Sequence, residues 1–175
     1  MTMPETVYRI RRSFIIPLGI DVLLLFILLA LSLAVKGSVT ERIVLTGFFI
    51  VSLLILIEAI NRKFVITDGG VALKKLTKTK ELLWSDVTHV GCLSLRSKVY
   101  ILLTTKKGFH VLSNAYEPFA PLVRDIVNHL DTEKIEVEAE ARAQIDNPTN
   151  NLSDLVAAWV ATVVLTGIIY IKFIS

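Results

Sequence analysis

The stretch LVAAWVATVVLTGIIYI, Leu155–Ile171, runs for seventeen positions without a charged side chain. A helix rises 1.5 Å per residue, so roughly 17–25 apolar residues cross the hydrocarbon of a bilayer. Two earlier runs repeat the pattern. Residues 14–35 hold one ionisable side chain, Asp21, and residues 43–60 hold one, Glu58. The chain therefore reads as a membrane protein with three transmembrane helices and a soluble segment between the second and the third. Its composition agrees: 53% of the 175 residues are hydrophobic and 20% charged, more apolar than an ordinary soluble domain.

Arg9, Arg11 and Arg12 precede the first run, as they would in a signal peptide, but the run exceeds the roughly 7–15 residues of an h-region. A second run follows almost at once, with Lys36–Thr40 as the turn, so the pair is expected to form a helical hairpin. Orientation follows the Lys and Arg residues beside short loops. Arg9, Arg11, Arg12, Arg62 and Lys63 flank one side of the hairpin, against Lys36 and Arg42 on the other. The N-terminus and residues 61–151 are thus expected in the cytoplasm and the C-terminus across the membrane, with Lys172 a weak contrary signal. The single cysteine, Cys92, excludes an intramolecular disulfide and suits a reducing compartment.

Between Lys63 and Leu130 the pattern changes to short β-rich pieces broken by turn residues. Phe64–Thr67, Val71–Leu76, Glu81–Trp84, Val87–Leu95, Val99–Thr105 and Phe109–Leu112 give about six strands. Asp68-Gly69-Gly70 and Lys106-Lys107-Gly108 are the turns, and Gly69 and Gly70 are expected to supply positive φ. Pro118 and Pro121 suit the first turns of a helix. Phe119, Leu122, Val123, Ile126, Val127 and Leu130 then form one apolar stripe, which should cap an antiparallel sheet or small barrel, with Trp84 packed beneath it. Residues 131–151 are an acidic connector: alternation is strand-like, Glu/Ala content helix-like. Asn151 or Ser153 should cap the last helix, with Asp154 in its first turn.

The string Phe64-Val65-Ile66-Thr67-Asp68-Gly69-Gly70-Val71, then Leu83-Trp84-Ser85-Asp86-Val87, then a hairpin and a terminal helix, resembles the bacterial pleckstrin-homology-like domains that follow a two-helix membrane hairpin, the YcxB-like group being nearest. The resemblance covers residues 14–130 and implies a fold: an α+β membrane protein with an N-terminal transmembrane hairpin, a cytoplasmic pleckstrin-homology-like β domain capped by a helix (63–130), and, unlike the usual layout, a third transmembrane helix (152–175). It also implies the bacterial inner membrane as location. The quoted motifs are met by structural roles and require no active site.

Three sets of residues could carry function. Lys74, Lys75, Lys78 and Lys80 form the densest cationic cluster, suited to a lipid headgroup or to general attraction by an anionic leaflet. Asp21 and Glu58 are intramembrane carboxylates, expensive to bury and so candidates for a proton, cation or subunit contact. Alternatively, Glu58 snorkels towards Arg62 while Asp21 is protonated or hydrogen-bonded among the helices. Ala157, Ala158, Ala161, Thr162, Thr166 and Gly167 give the third helix small residues at four-residue spacing, as close helix packing requires. His89 and Cys92, three apart, fall on opposite faces of a strand, which argues against a metal pair. No phosphate-binding glycine loop, nucleophile elbow, zinc-helix motif or aromatic-laced basic stretch is present.

The expectation is a non-enzymatic protein without cofactor or metal that presents its domain at the membrane surface. Its expected partners are membrane lipids and a membrane protein or second copy, not nucleic acid. The competing expectation is a small membrane enzyme or proton- or ion-coupled component that uses Asp21.

Overall fold

The computed structural model describes residues 5–35, 38–95, 97–106, 108–130, 135–149 and 152–173, with backbone alone at 152–154 and 173. The expected caps Asn151, Ser153 and Asp154 and the turn residues Lys36, Gly37 and Lys107 lie outside what is described at side-chain level. The architecture is α+β, divided into two compact units: residues 1–11 with 61–152, and residues 12–60 with 153–175.

The first unit contains two sheets. One has the order β4-β3-β2-β1-β8, built from β1 (Thr6–Ile10), β2 (Lys63–Thr67), β3 (Gly70–Lys74), β4 (Thr79–Leu83) and β8 (Tyr116–Glu117). The other has the order β7-β6-β5-β9, from β5 (Val87–Leu95), β6 (Lys98–Thr105), β7 (Gly108–Ser113) and β9 (Glu136–Val137). Neighbours are antiparallel except β9, which runs parallel to β5. The six expected strands correspond to β2–β7.

Strand β1 enlarges the expected domain. It pairs with β2 from Thr6↔Ile66 to Arg9↔Lys63, and with β8 through Ile10↔Tyr116, so the segment before the first apolar run belongs to the sheet. Tyr8 and Ile10 point into the core and Val7 and Arg9 out, the period-2 alternation of a half-buried strand. The boundary at 130 also moves. The described part of the acidic connector, 135–149, holds a strand and a helix in succession: β9, then α4 (Ala139–Asp146), whose Ala141 is fully buried, while 131–134, 150 and 151 lie outside the described residues.

The core is mainly aliphatic, with Tyr8, Phe64 and Tyr116 also buried in it. Val90, Val99, Ile101 and Leu103 from the second sheet meet Leu122, Val123 and Ile126 of α3 (Phe119–His129), all fully buried. Val127 of the expected stripe is only half-buried. Trp84 lies in a short 3-10 turn, stacks on His129 at 5.3 Å between centroids, and donates Nε1–H to the Thr67 carbonyl at 2.9 Å. The expected positive φ of Gly69 and Gly70 is corrected. Among the described residues positive φ belongs to Gly108 (140°), whereas a Cβ on Gly70 would stand 2.1 Å from the Leu82 carbonyl oxygen. Close approach of β3 and β4 requires that glycine.

The second unit consists of α1 (Arg12–Ala34), α2 (Val39–Asn61) and α5 (Leu152–Phe173). All three are long and apolar enough to cross a membrane. Helix α1 is the best covered: Pro17, Asp21, Leu25, Leu28 and Ser32 are buried at three- or four-residue spacing, one helical face. No residue of α2 is buried, and Phe48, Val51, Leu54 and Ile55 face outward.

Candidate functional site

The basic hairpin is the β3–β4 connection. The Leu73↔Lys80 pair lies on the same face as the buried Val71↔Leu82 pair, while Lys74 faces the other way. Lys80 lines a small apolar cavity with Leu73 and His110, Lys74 reaches Glu5 at 3.9 Å, and Lys75 and Lys78 close the turn through a 2.9 Å backbone bond. The four lysines thus point in different directions and do not converge on a pocket.

The hairpin stands at a distinctive end of the first unit. Lys74 pairs with Lys63, which pairs with Arg9. One residue, Arg11, separates β1 from α1, and one residue, Arg62, separates α2 from β2. Arg11 donates its backbone N–H to the Ala115 carbonyl, and the Arg62 guanidinium stands 5.8 Å over the Tyr116 ring. Immediately before Ala115 and Tyr116, buried Asn114 donates Nδ2–H bonds of 2.9 Å to the carbonyls of Ser97 and Thr149. Thr149 comes three residues before α5. The three segments that continue into the apolar helices are therefore tied at Asn114–Tyr116. Nothing in the local sequence marked Asn114; a lone asparagine after a strand is ordinarily a turn residue.

Within the helical unit, Asp21 and Thr162 meet. The Thr162 hydroxyl donates to Asp21 Oδ1 at 2.6 Å, both residues 8% exposed. Around Thr162 the small-residue face divides: Ala158 is half-buried and Gly167 likewise, whereas Ala157, Ala161 and Thr166 are exposed. Thr166 uses its hydroxyl on the Thr162 carbonyl of its own helix. Glu58 is exposed and is not part of this contact. Glu41, at the start of α2, accepts from Ser32 and pairs with Lys172 at the end of α5.

A further polar cluster links β5 to the connector. Glu138 accepts the Cys92 backbone N–H at 2.6 Å and faces His89 Nε2 at 3.3 Å, while Glu136 is 3.7 Å from His89 Nδ1. The Cys92 amide, and secondarily His89, lower the Glu138 pKa. A depressed carboxylate contributes stability above its unfolded value and loses it as pH falls through the folded value. The Cys92 amide proton resonance is therefore expected to titrate with a midpoint below 4.5, the ordinary value for this carboxyl. A midpoint at or above that value would contradict the bond. Burial, then Glu138 and Glu140, pushes the Cys92 thiol up, so it stays protonated and poorly nucleophilic at neutral pH. Among the described residues no group of three His, Cys, Asp or Glu side chains could hold a metal. No known protein family, curated protein or solved structure matches the chain.

Proposed function

We propose that the chain is a multi-pass protein of the bacterial inner membrane whose three helices hold a cytoplasmic pleckstrin-homology-like domain at the membrane surface. There the domain binds a membrane-protein partner, a second copy or lipid, as a non-enzymatic assembly, scaffold or regulatory subunit. The carrying observation is the pair of one-residue junctions, Arg11 and Arg62, between sheet and apolar helices. A domain joined this way has no linker on which to leave the surface. Two sheets closed by a terminal helix support the pleckstrin-homology-like reading, and the arginines at both junctions support a cytoplasmic domain. The Glu41–Lys172 pair supports an α5 that ends on the same side as the α1–α2 turn. Reporter fusions after Asn147 and after Ser175 are expected to signal from opposite sides; like signals would overturn the topology. Co-purification from mild detergent is expected to retain a membrane-protein partner or a second copy.

The alternative, a proton- or ion-coupled role for Asp21, draws on its burial in an apolar unit. The Thr162 hydroxyl supports a structural role instead. Asp21→Asn keeps an acceptor for that hydroxyl, so stability in micelles and partner retention are expected to survive. Thr162→Val leaves the carboxyl without its donor and is expected to cost about 1 kcal/mol, read as a lower thermal midpoint. Loss of cellular function in Asp21→Asn with folding and partner retention intact would favour the coupled role.

A further inference from the structure

The end of the first unit from which the chain leaves for α1 and α2 is charged in an unusual way. Arg9, Lys63 and Lys74 lie side by side on β1, β2 and β3, on the same face, in directly opposed register. Strands stand about 4.8 Å apart, and like charges directly opposite one another repel. Two carboxylates answer the row in part: Glu117 opposite Arg9, and Glu5 beside Lys74. Exposed Lys75 and Lys78 add further positive charge at the same end. The opposite end, at the β2–β3 turn, the 3-10 turn and the β6–β7 turn, carries mixed charge, Asp68 and Asp86 with exposed Lys106.

The same end exposes aliphatic side chains where strands turn. Leu76, between Lys75 and Lys78, is 51% exposed, and Leu95, at the β5–β6 turn, is 55% exposed. The Asn114 bond to Ser97 and the Arg11 bond to Ala115 connect that second turn to Arg11, the residue after β1. Aliphatic tips beside cations match the interfacial zone of an anionic bilayer, where methylenes enter the acyl boundary while ammonium groups meet phosphates.

We infer that this end of the domain is a bilayer-docking surface: Leu76 and Leu95 enter the interface, and the Arg9–Lys63–Lys74 row with Lys75 and Lys78 engages anionic headgroups. The inference rests on the membrane-anchored reading and goes beyond it, because it fixes the face of the domain and the chemistry it meets. It requires no headgroup pocket, in keeping with the divergent lysines.

The test uses the full chain reconstituted in phosphatidylcholine vesicles with or without phosphatidylglycerol. In a Cys92→Ser background, one nitroxide is attached at Leu76→Cys, Leu95→Cys or, as control at the opposite end, Lys106→Cys. Thr77→Cys replaces the first site if that variant does not fold. Collision with a water-soluble nickel chelate is expected to fall several-fold at the two tips relative to residue 106 in anionic vesicles. It should recover in neutral vesicles and in a Lys75→Gln/Lys78→Gln variant. Tips as nickel-accessible as residue 106 in anionic vesicles would overturn the inference. So would protection indifferent to lipid charge. Retention in the vesicles after an alkaline carbonate wash reports on anchoring separately: a retained protein with wet tips sinks this inference alone, and a released protein sinks the anchored reading.

Discussion

Replacing Tyr8 with alanine is expected to destabilise the first unit by about 3–5 kcal/mol, the range for removing a large buried aromatic side chain. Tyr8 is 3% exposed on a strand that has β2 on one side and β8 on the other. Its ring is part of the core, and its hydroxyl donates to Asp125 Oδ2 on α3 at 2.5 Å. Burial, then Asp125, holds the phenol well above its ordinary pKa, so it remains a donor throughout the physiological range. Tyr8→Phe keeps the ring and leaves the carboxylate without that donor, for an expected loss of about 1–2 kcal/mol. Denaturant unfolding of the solubilised chain, followed by Trp84 fluorescence in a Trp159→Phe background, separates the two variants. Equal midpoints for Tyr8→Ala and the parent would show that β1 adds nothing to the fold. The ordering matters for function, because β1 is both an interior strand of its sheet and the segment leading into α1.

That strand was not legible in the sequence, although Val7-Tyr8-Arg9-Ile10 alternates correctly. Its partner β2 lies beyond two apolar helices, and its arginine also serves as a topological flank, a sufficient explanation by itself. Strands β2–β7 were legible because each has a local turn signal and pairs with a neighbour close in sequence. The connector held both signals at once: alternation belongs to β9 and alanine content to α4, side by side rather than in competition. Asp21 and Thr162 were each conspicuous for their chemistry, yet 141 positions separate them, and no local pattern encodes which helices meet. The basic hairpin was visible as composition, but the side on which each lysine falls depends on register, and the β3–β4 pairing sets exposed Lys80 on the face opposite Lys74.

Register also decides the second large effect. Gly70→Ala is expected to destabilise the unit by about 3 kcal/mol, the upper end of ordinary overpacking costs, and Gly70→Val by more. The new Cβ would meet Leu82 O at 2.1 Å and Leu82 C and Leu83 Cα at 3.0 Å, all backbone atoms that no rotamer change can move aside. Strand β4 is at the sheet edge, so the relief available is for it to part from β3. That would expose Leu82, 6% accessible in the native fold, and disturb the 3-10 turn from which Trp84 bonds Thr67. The basic turn between β3 and β4 would lose its fixed geometry with them. Gly69→Ala provides the contrast: nothing lies within 4 Å of its Cβ and its φ is not positive, so a change within about 0.5 kcal/mol is expected. Hydrogen exchange of the β3–β4 amides, with thermal midpoints, reads both variants. Equal damage at the two positions would mean that the turn needs glycine for its backbone angles. Damage at Gly70 alone means that two strands pass too close for any side chain, and that the hairpin's lysines and Leu76 depend on that contact for their position.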